Sequence, residues 1–278
     1  MVTVLGTLLL SSCNKKGTDS RKEITKASRI VALSPSGAEI LSTINAENLI
    51  VARTDFCDYP ESLKSIPSIG GFSGDTLSVE SILKYNPDFV YGAAGIHDSI
   101  KENLERLNID VYLSESSSIE DILNEIEFMG TVTNHKEESE SVTQKLRAQI
   151  ENLKEKASVS QSVPQIYWEV WNAPYMTAAN KSFINDVMEL SGGKNIFADV
   201  NDVYPIISEE IIIKRNPDVI IIPQENGITV ETLKKRPGWE NIKAVKNENV
   251  IFIDSDLYTR PGPRIINAAE ELFEKLHK

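Results

Sequence analysis

Histidine and cysteine are both scarce in this sequence, which limits the metal chemistry that it supports. The 278 residues include three histidines and two cysteines. Zinc and similar ions prefer imidazole and thiolate ligands, and a site needs several of them. His135 precedes a long helical pattern and His277 lies in the tail, which leaves His97 as the candidate ligand among the histidines. Binding of free zinc or manganese ions is therefore an alternative that rests on His97, and we predict no metal site and no resident cofactor.

Sequence motifs that hold nucleotides or build acyl-transfer sites are also missing. No G-x-G-x-x-G follows the first predicted strand, and neither G-x-x-x-x-G-K-[ST] nor G-x-S-x-G occurs. The Gly-Gly-Lys of 192–194 ends a predicted helix, where glycine acts as a cap. We therefore predict a protein without catalytic activity, and a two-lobed α/β enzyme remains the alternative from a different class.

Basic residues are fewer than acidic residues in this sequence. The chain has 29 basic and 41 acidic residues, for a net charge of −12. A surface of this sign argues against nucleic acid or an anionic membrane as a partner. Acidity of this size is also what keeps many secreted proteins soluble.

Long apolar runs are absent except near the start of the chain. There, "TVLGTLLLSSCNKK" has a run too short to span a bilayer and typical of a secretory signal. "LSSC" resembles the lipobox of bacterial lipoproteins, in which the cysteine is acylated. This predicts a signal peptide at 1–12 and a lipidated tether at 13–28 that begins with Cys13. Cys57 then has no evident disulfide partner, and we expect a buried thiol.

From Arg29 onward, strand and helix patterns alternate, which indicates an α/β fold with mostly parallel sheets. Residues 136–157 contain no Gly or Pro and repeat apolar side chains at helical spacing, so they predict one long helix. The alternation then starts again. We predict two Rossmann-like lobes, 29–135 and 158–278, joined by the helix and with a ligand cleft between them.

One motif occurs twice, 130 residues apart. "LSVESILKYNPDFVYG" (77–92) returns as "ISEEIIIKRNPDVIII" (207–222), with Glu80 matched by Glu210. In each copy a serine, Ser78 or Ser208, is placed as the helix N-cap, and a carboxylate in the first turn is stabilised by the helix dipole. This is a structural explanation of the glutamates, and by itself it requires no function.

The chain as a whole resembles the substrate-binding proteins of ABC importers for cobalamin, haem and iron-siderophore complexes. The likeness runs from about residue 29 to the C-terminus, through "RIVALSPSGAEIL", "DYP", both repeated segments, "ELSGGKNIF" and "GPRIINAAEEL". It implies a monomeric, lipid-anchored protein on the extracytoplasmic face of a bacterial membrane, with a rigid linking helix. It also implies that Glu80 and Glu210 dock into arginine pockets of a dimeric permease.

Candidate ligand contacts follow from the rule that ligands bind beyond the carboxyl ends of parallel strands. Aromatic rings there suit a flat chelate, and Arg260 could pair with a carboxylate or phosphate of the ligand. The predicted contacts from the two lobes are Ser34, Phe56, Phe72, Trp171, Tyr204, Tyr258 and Arg260. Cobalamin-binding members of the resembled family carry tryptophans where this chain has Phe72, Ala93 and Tyr204, so the choice among cobalamin, haem and a siderophore stays open.

The lipidation prediction is tested with Cys13→Ala. Without the acceptor thiol no acyl chain can be attached, so the variant should remain as unprocessed precursor or appear as soluble protein. Labelled fatty acid and membrane fractionation measure both outcomes. Continued incorporation of fatty acid, with the protein still in the membrane fraction, would contradict the prediction.

Overall fold

A computed structural model describes residues 26–73 and 76–278. The predicted signal peptide, Cys13 and all but the last residues of the predicted tether lie outside the described residues. Within them the chain forms two α/β lobes with a long helix between them in sequence, each lobe built on a largely parallel sheet. The predicted fold class is confirmed.

The N-terminal lobe is a four-stranded parallel sheet in the order β2-β1-β3-β4. Its strands are β1 (Ile30–Ala32), β2 (Ile50–Arg53), β3 (Phe89–Ala93) and β4 (Asp110–Ser114). Its helices are α1 (Pro35–Thr43), α2 (Val79–Leu83), α3 (Asp98–Glu105) and α4 (Ile119–Thr133), with single 3₁₀ turns at Glu47–Leu49 and Glu61–Ser65. Helix α4 begins with a capping box, in which Ser118 and Asp121 exchange hydrogen bonds with each other's backbone.

The long helix α5 (Lys136–Ser158) follows at once and is unbroken, as predicted. At 1.5 Å per residue its 23 residues span roughly 34 Å. Its apolar stripe is buried through Leu146, Ile150 and Leu153, while most of the remaining positions are exposed.

The C-terminal lobe is a mixed five-stranded sheet in which β5 is flanked by β8 on one side and by β6 and β7 on the other. Its strands are β5 (Gln165–Asn172), β6 (Tyr175–Thr177), β7 (Lys194–Asn195), β8 (Val219–Pro223) and β9 (Val250–Ile253). Its helices are α6 (Phe183–Leu190), α7 (Glu209–Arg215), α8 (Val230–Lys234), α9 (Lys243–Lys246), α10 (Ser255–Tyr258) and α11 (Ile265–Leu276), with 3₁₀ turns at Gln224–Asn226 and Trp239–Asn241. The antiparallel β5–β6 hairpin was not predicted.

The aspartate of the repeated Asn-Pro-Asp turn has the same task in both lobes. The amide of Asp88 donates to the carbonyl of Arg29 at 3.0 Å, and the amide of Arg29 donates back to the Asp88 carboxylate at 2.9 Å. Asp218 and Gln165 make the same reciprocal pair, at 2.8 and 3.0 Å. Each turn thereby fastens the incoming strand to the start of the first strand of its lobe, so this part of the repeat is structural.

Alternation along the strands divides the apolar side chains between two faces of each sheet. In β1, Val31 packs outward against α2 and α3, whereas Ile30 and Ala32 face the opposite way. In the second lobe Tyr167 belongs to an outer cluster with α7, α8 and α9, and Trp168 faces inward. The inward faces of both sheets share one continuous core with residues of α1, α4, α5, α6 and α11. The two lobes are therefore joined by packed side chains and not only by the chain.

Partly buried polar contacts reinforce this junction. Arg264, at the start of α11, is 2.8 Å from the carboxylate of Glu39, which lies on α1 and is 3% exposed at its side chain. Asp186 of α6 accepts a hydrogen bond from the amide of Ile119, the first residue of α4, at 2.9 Å. Burial raises the pKa of Asp186. Both contacts cross from one lobe to the other and fix their relative position.

Cys57 is a buried free thiol, as predicted from the sequence. Its Sγ lies 3.3 Å from the hydroxyl of Thr54 and 3.5 Å from the carbonyl of Ala32. Burial raises the pKa of the thiol, so the reactive thiolate is disfavoured and the residue acts as a core side chain.

Candidate functional site

A cavity of about 630 Å³ lies between the lobes, within the usual size range of small-molecule sites. Most of its walls come from the loops that follow β1, β2, β3, β4 and β9, which is the position that the strand-end rule predicts, and the segments after β6 and β7 complete it. A larger depression of about 1340 Å³ is lined by the N-terminal lobe alone, along β4 and α4. Because only the smaller cavity is lined by both lobes, we take it as the candidate site and call it the cleft.

Aromatic side chains from both lobes line the cleft. Phe56 and Phe72 form an edge-to-face pair with ring centroids 5.6 Å apart, and the Phe56 side chain is half exposed. Tyr204 lines it from the other lobe, and burial raises the pKa of its phenol to about 12. The phenol therefore stays neutral at physiological pH. A ligand between these rings would be bound by apolar contact and stacking.

His97 positions Phe72 and is fully occupied in doing so. Its Nδ1 accepts a hydrogen bond from the amide of Ala93 at 2.9 Å, so its proton is on Nε2, which donates to the carbonyl of Phe72 at 2.7 Å. Burial lowers the pKa of this imidazole, which favours the neutral form. Gly92 lets the ring approach, since a Cβ there would lie 3.2 Å from it. His97 has no nitrogen left for a metal, and the described residues contain no cluster of His, Cys, Asp and Glu that could hold one.

One wall of the cleft is a row of polar residues, Ser114 to Ser117, held by a buried carboxylate beneath it. Glu125 accepts hydrogen bonds from Ser114 at 2.8 Å and from the hydroxyls of Ser116 and Tyr91. Burial raises the pKa of Glu125. Sequence reasoning missed this wall, although the signal was present, since "SESSS" directly follows the fourth strand.

Arg260 lines the cleft, but its guanidinium is already paired. Its Nη1 lies 3.1 Å from Asp58 of the opposite lobe, and its Nη2 lies 2.6 Å from Asp256. The arginine side chain is 13% exposed. We predicted that Arg260 pairs with an anionic ligand. In the structure, its charge is already balanced by two carboxylates of the protein.

The structure brings five of the seven predicted contacts to the cleft and places two elsewhere. The cleft contains Ser34, Phe56, Phe72, Tyr204 and Arg260. Tyr258 is wholly buried, with its ring 6.1 Å from Trp168, because the short helix α10 turns it into the core. Trp171 lies on the β5–β6 hairpin, half exposed, and donates its indole N–H to the carbonyl of Ala173 at 3.0 Å. The assignment of these two residues to the cleft is corrected.

The repeated glutamates occupy equivalent positions in the two lobes. Glu80 and Glu210 are each the second residue of a short helix, and both are exposed. Ser78 caps its helix through the amide of Ser81, at 3.1 Å, whereas the Ser208 side chain makes no such bond. Hydrogen bonds from its own backbone and from Ser208 lower the pKa of Glu210.

Glu209, next to Glu210, has a different role. Its carboxylate accepts hydrogen bonds from the Tyr175 hydroxyl at 3.0 Å and from the Trp239 indole at 2.6 Å. It is therefore engaged within the lobe, and Glu210 is the carboxylate that matches Glu80 in position and exposure.

Comparison with known proteins agrees with the fold. The family model described as periplasmic binding protein matches residues 30–257. A vitamin B12-binding protein of Vibrio campbellii is 30% identical over 254 residues, which cover 89% of this chain and 89% of the relative. An ABC transporter substrate-binding lipoprotein of Bacillus subtilis, described as uncharacterised, is 28% identical over 90% of this chain and 80% of its own length.

Among solved structures, a possible iron-binding (periplasmic solute-binding) protein of Staphylococcus epidermidis superposes with a TM-score of 0.80. It is 27% identical, and the match covers 91% of this chain and all of the other. None of the described helices combines the length and the hydropathy needed to cross a bilayer. The resemblance found in the sequence is confirmed, and the chain belongs to the periplasmic binding protein family.

Proposed function

We propose that this protein is the substrate-binding component of an ABC importer, which holds a metal chelate in the cleft and delivers it to a membrane permease. The observation that carries the proposal is the convergence of Phe56 and Phe72 from one lobe with Tyr204 from the other on a single cavity. Such a site binds one flat or compact ligand between two walls. The relatives are named for vitamin B12 and iron, which supports a chelate of this kind as the ligand.

The role that we propose is binding without catalysis. The named relatives are binding proteins, and one is described as part of an ABC transporter. The serines of the cleft wall support the same role, because Ser114 and Ser116 donate to the buried carboxylate of Glu125. That contact holds the wall in place and does not prepare a hydroxyl for attack on a substrate.

Delivery to the permease would use Glu80 and Glu210. Both carboxylates are exposed, lie at the same position of the same motif and belong to different lobes. A permease dimer presents two equivalent surfaces, so one charge on each lobe suits it. The shared core keeps the lobes in a fixed relation, which would hold the two charges at a constant separation.

The location that we propose is the extracytoplasmic face of a bacterial membrane, with a monomeric protein attached through an acyl chain on Cys13. The Bacillus subtilis relative is described as a lipoprotein, which supports the anchor. The two lysines after Cys13 and the polar stretch up to Ser28 suit a tether that separates the lobes from the membrane.

Binding in the cleft is tested with Phe72→Ala and Tyr204→Ala. Each change removes an aromatic wall, so we expect chelate affinity to fall by about 1–3 kcal/mol. Trp171→Ala is the matched control, since it removes an exposed aromatic ring outside the cleft and should leave affinity unchanged. Calorimetric titration with the chelate that copurifies with the protein measures all three. Unchanged affinity in both cleft variants would contradict the site.

Docking is tested with Glu80→Gln and Glu210→Gln. Both side chains are exposed, so the melting temperature and the affinity for the chelate should be unchanged. Uptake by cells should fall, since a permease arginine left without its partner costs about 2–5 kcal/mol, and the double variant should be the worst.

Glu231→Gln is the matched control for docking, because Glu231 is also exposed and is the second residue of a short capped helix. Uptake should be normal in this variant. Loss of stability with normal uptake in the Glu80 and Glu210 variants would instead mean that the repeated glutamates serve only to start their helices.

A further inference from the structure

The charges around the cleft are unevenly distributed. Among the described residues that line it, the charged side chains are Glu115, Asp256 and Arg260. Arg260 pairs with Asp256 and also with Asp58, which stands just behind the lining. Among the described residues that line the cleft, Arg260 is thus the one cation, and the two carboxylates beside it more than balance its positive charge.

The other arginines near the cleft are engaged within the fold. Arg264 is held by Glu39 at 2.8 Å and stacks over the ring of Tyr59, 3.6 Å from its centroid. Arg53 is buried and donates to backbone carbonyls, including that of Leu63 at 2.7 Å. Both guanidinium groups are engaged within the fold and cannot turn to a ligand without leaving a buried acceptor or charge unpaired. Lys181 is next to a lining residue in the chain but is not part of the lining.

Glu115 adds a further negative charge. It is exposed on the serine wall, where it lines both the cleft and the larger depression along β4 and α4, and it makes no ion pair or hydrogen bond with the residues that the structure describes. With Asp256 and Asp58 it gives the described surroundings of the cleft an excess of carboxylates over cations. A polyanionic chelate would meet repulsion there, whereas an uncharged or cationic chelate would not.

The neutral polar groups of the cleft complement such a ligand. Ser34 and Ser36 share a hydrogen bond at 2.8 Å on one wall, and Ser117 is exposed on another. Hydroxyl groups both donate and accept, so they match amides and hydroxyls on a ligand and carry no positive charge that would offset the carboxylates of the cleft.

From these charges we infer that the cleft selects metal chelates without net negative charge, such as a neutral corrinoid or a neutral or cationic hydroxamate complex, over anionic chelates such as haem or ferric catecholates. The inference rests on the proposed function and names the ligand class of the same site. It reverses the expectation that Arg260 binds an anionic group of the ligand.

The test is a calorimetric titration of the full protein with four probes. Cyanocobalamin is uncharged, ferric desferrioxamine B is a cation, haemin carries propionate carboxylates and ferric enterobactin is a polyanion. We expect at least one of the first two to bind about tenfold or more tightly than either of the last two. Added salt should reduce this difference in affinity, because it screens the repulsion between the cleft and the anionic probes.

Two variants separate charge from shape. Asp256→Asn removes a negative charge and one partner of Arg260, so affinity for haemin should rise about tenfold while that for cyanocobalamin changes little. Glu115→Gln removes a charge without releasing Arg260 and should have a smaller effect in the same direction. Both carboxylates are exposed, so neither change should unfold the protein.

Two results would overturn the inference, and they differ in what else they overturn. Wild-type protein that binds haemin or ferric enterobactin as tightly as the best of the other two probes contradicts the charge selection and leaves the proposed function intact. Failure of all four probes to bind contradicts the proposed function itself and therefore also the ligand class inferred from it.

Discussion

The constraint on which the structure depends is the apolar core that continues from one lobe into the other. Inward-facing residues of both sheets pack with α1, α4, α5, α6 and α11 in one cluster. Burial of each aliphatic or aromatic side chain contributes about 1.5–3 kcal/mol to stability. Exposing five such side chains to water, as separation of the lobes would require, would therefore cost on the order of 10 kcal/mol. A ligand bound at micromolar affinity supplies about 8 kcal/mol in total. Ligand binding therefore cannot drive a large separation of the lobes, and the cleft is preformed.

The electrostatics of the cleft follow from the same junction. Arg264 and Glu39 form a nearly buried pair across the lobes, and Arg260 bridges from Asp256 to Asp58 of the other lobe. Removing one partner of a buried pair typically costs about 3–5 kcal/mol, so the guanidinium of Arg264 serves the architecture first, while that of Arg260 is held between two more exposed carboxylates. What remains for the ligand is aromatic surface, hydroxyl groups and a surplus of carboxylates. The junction that makes the protein rigid also sets the charge of its cleft.

Local pattern predicted the elements well but not which way every side chain faces. The long helix follows from periodicity and the cavity at the strand ends from the order of the strands, and the cavity is lined by Phe72 and Tyr204, which we predicted as ligand contacts. Tyr258 was misplaced because one turn of helix rotates it inward, which no spacing rule shows. The balance of charge at Arg260 could not be predicted, since its partner Asp58 is 202 residues away in the chain.

We infer that the shared core holds the two lobes, and with them Glu80 and Glu210, at a constant separation. Spin labels at Glu80→Cys and Glu210→Cys, in a protein with Cys13→Ser and Cys57→Ala, measure that distance by pulsed electron resonance. We expect one narrow distribution whose mean moves by less than about 2 Å when a chelate is bound to saturation. Two resolved distances, or a shift of many ångströms on binding, would contradict it.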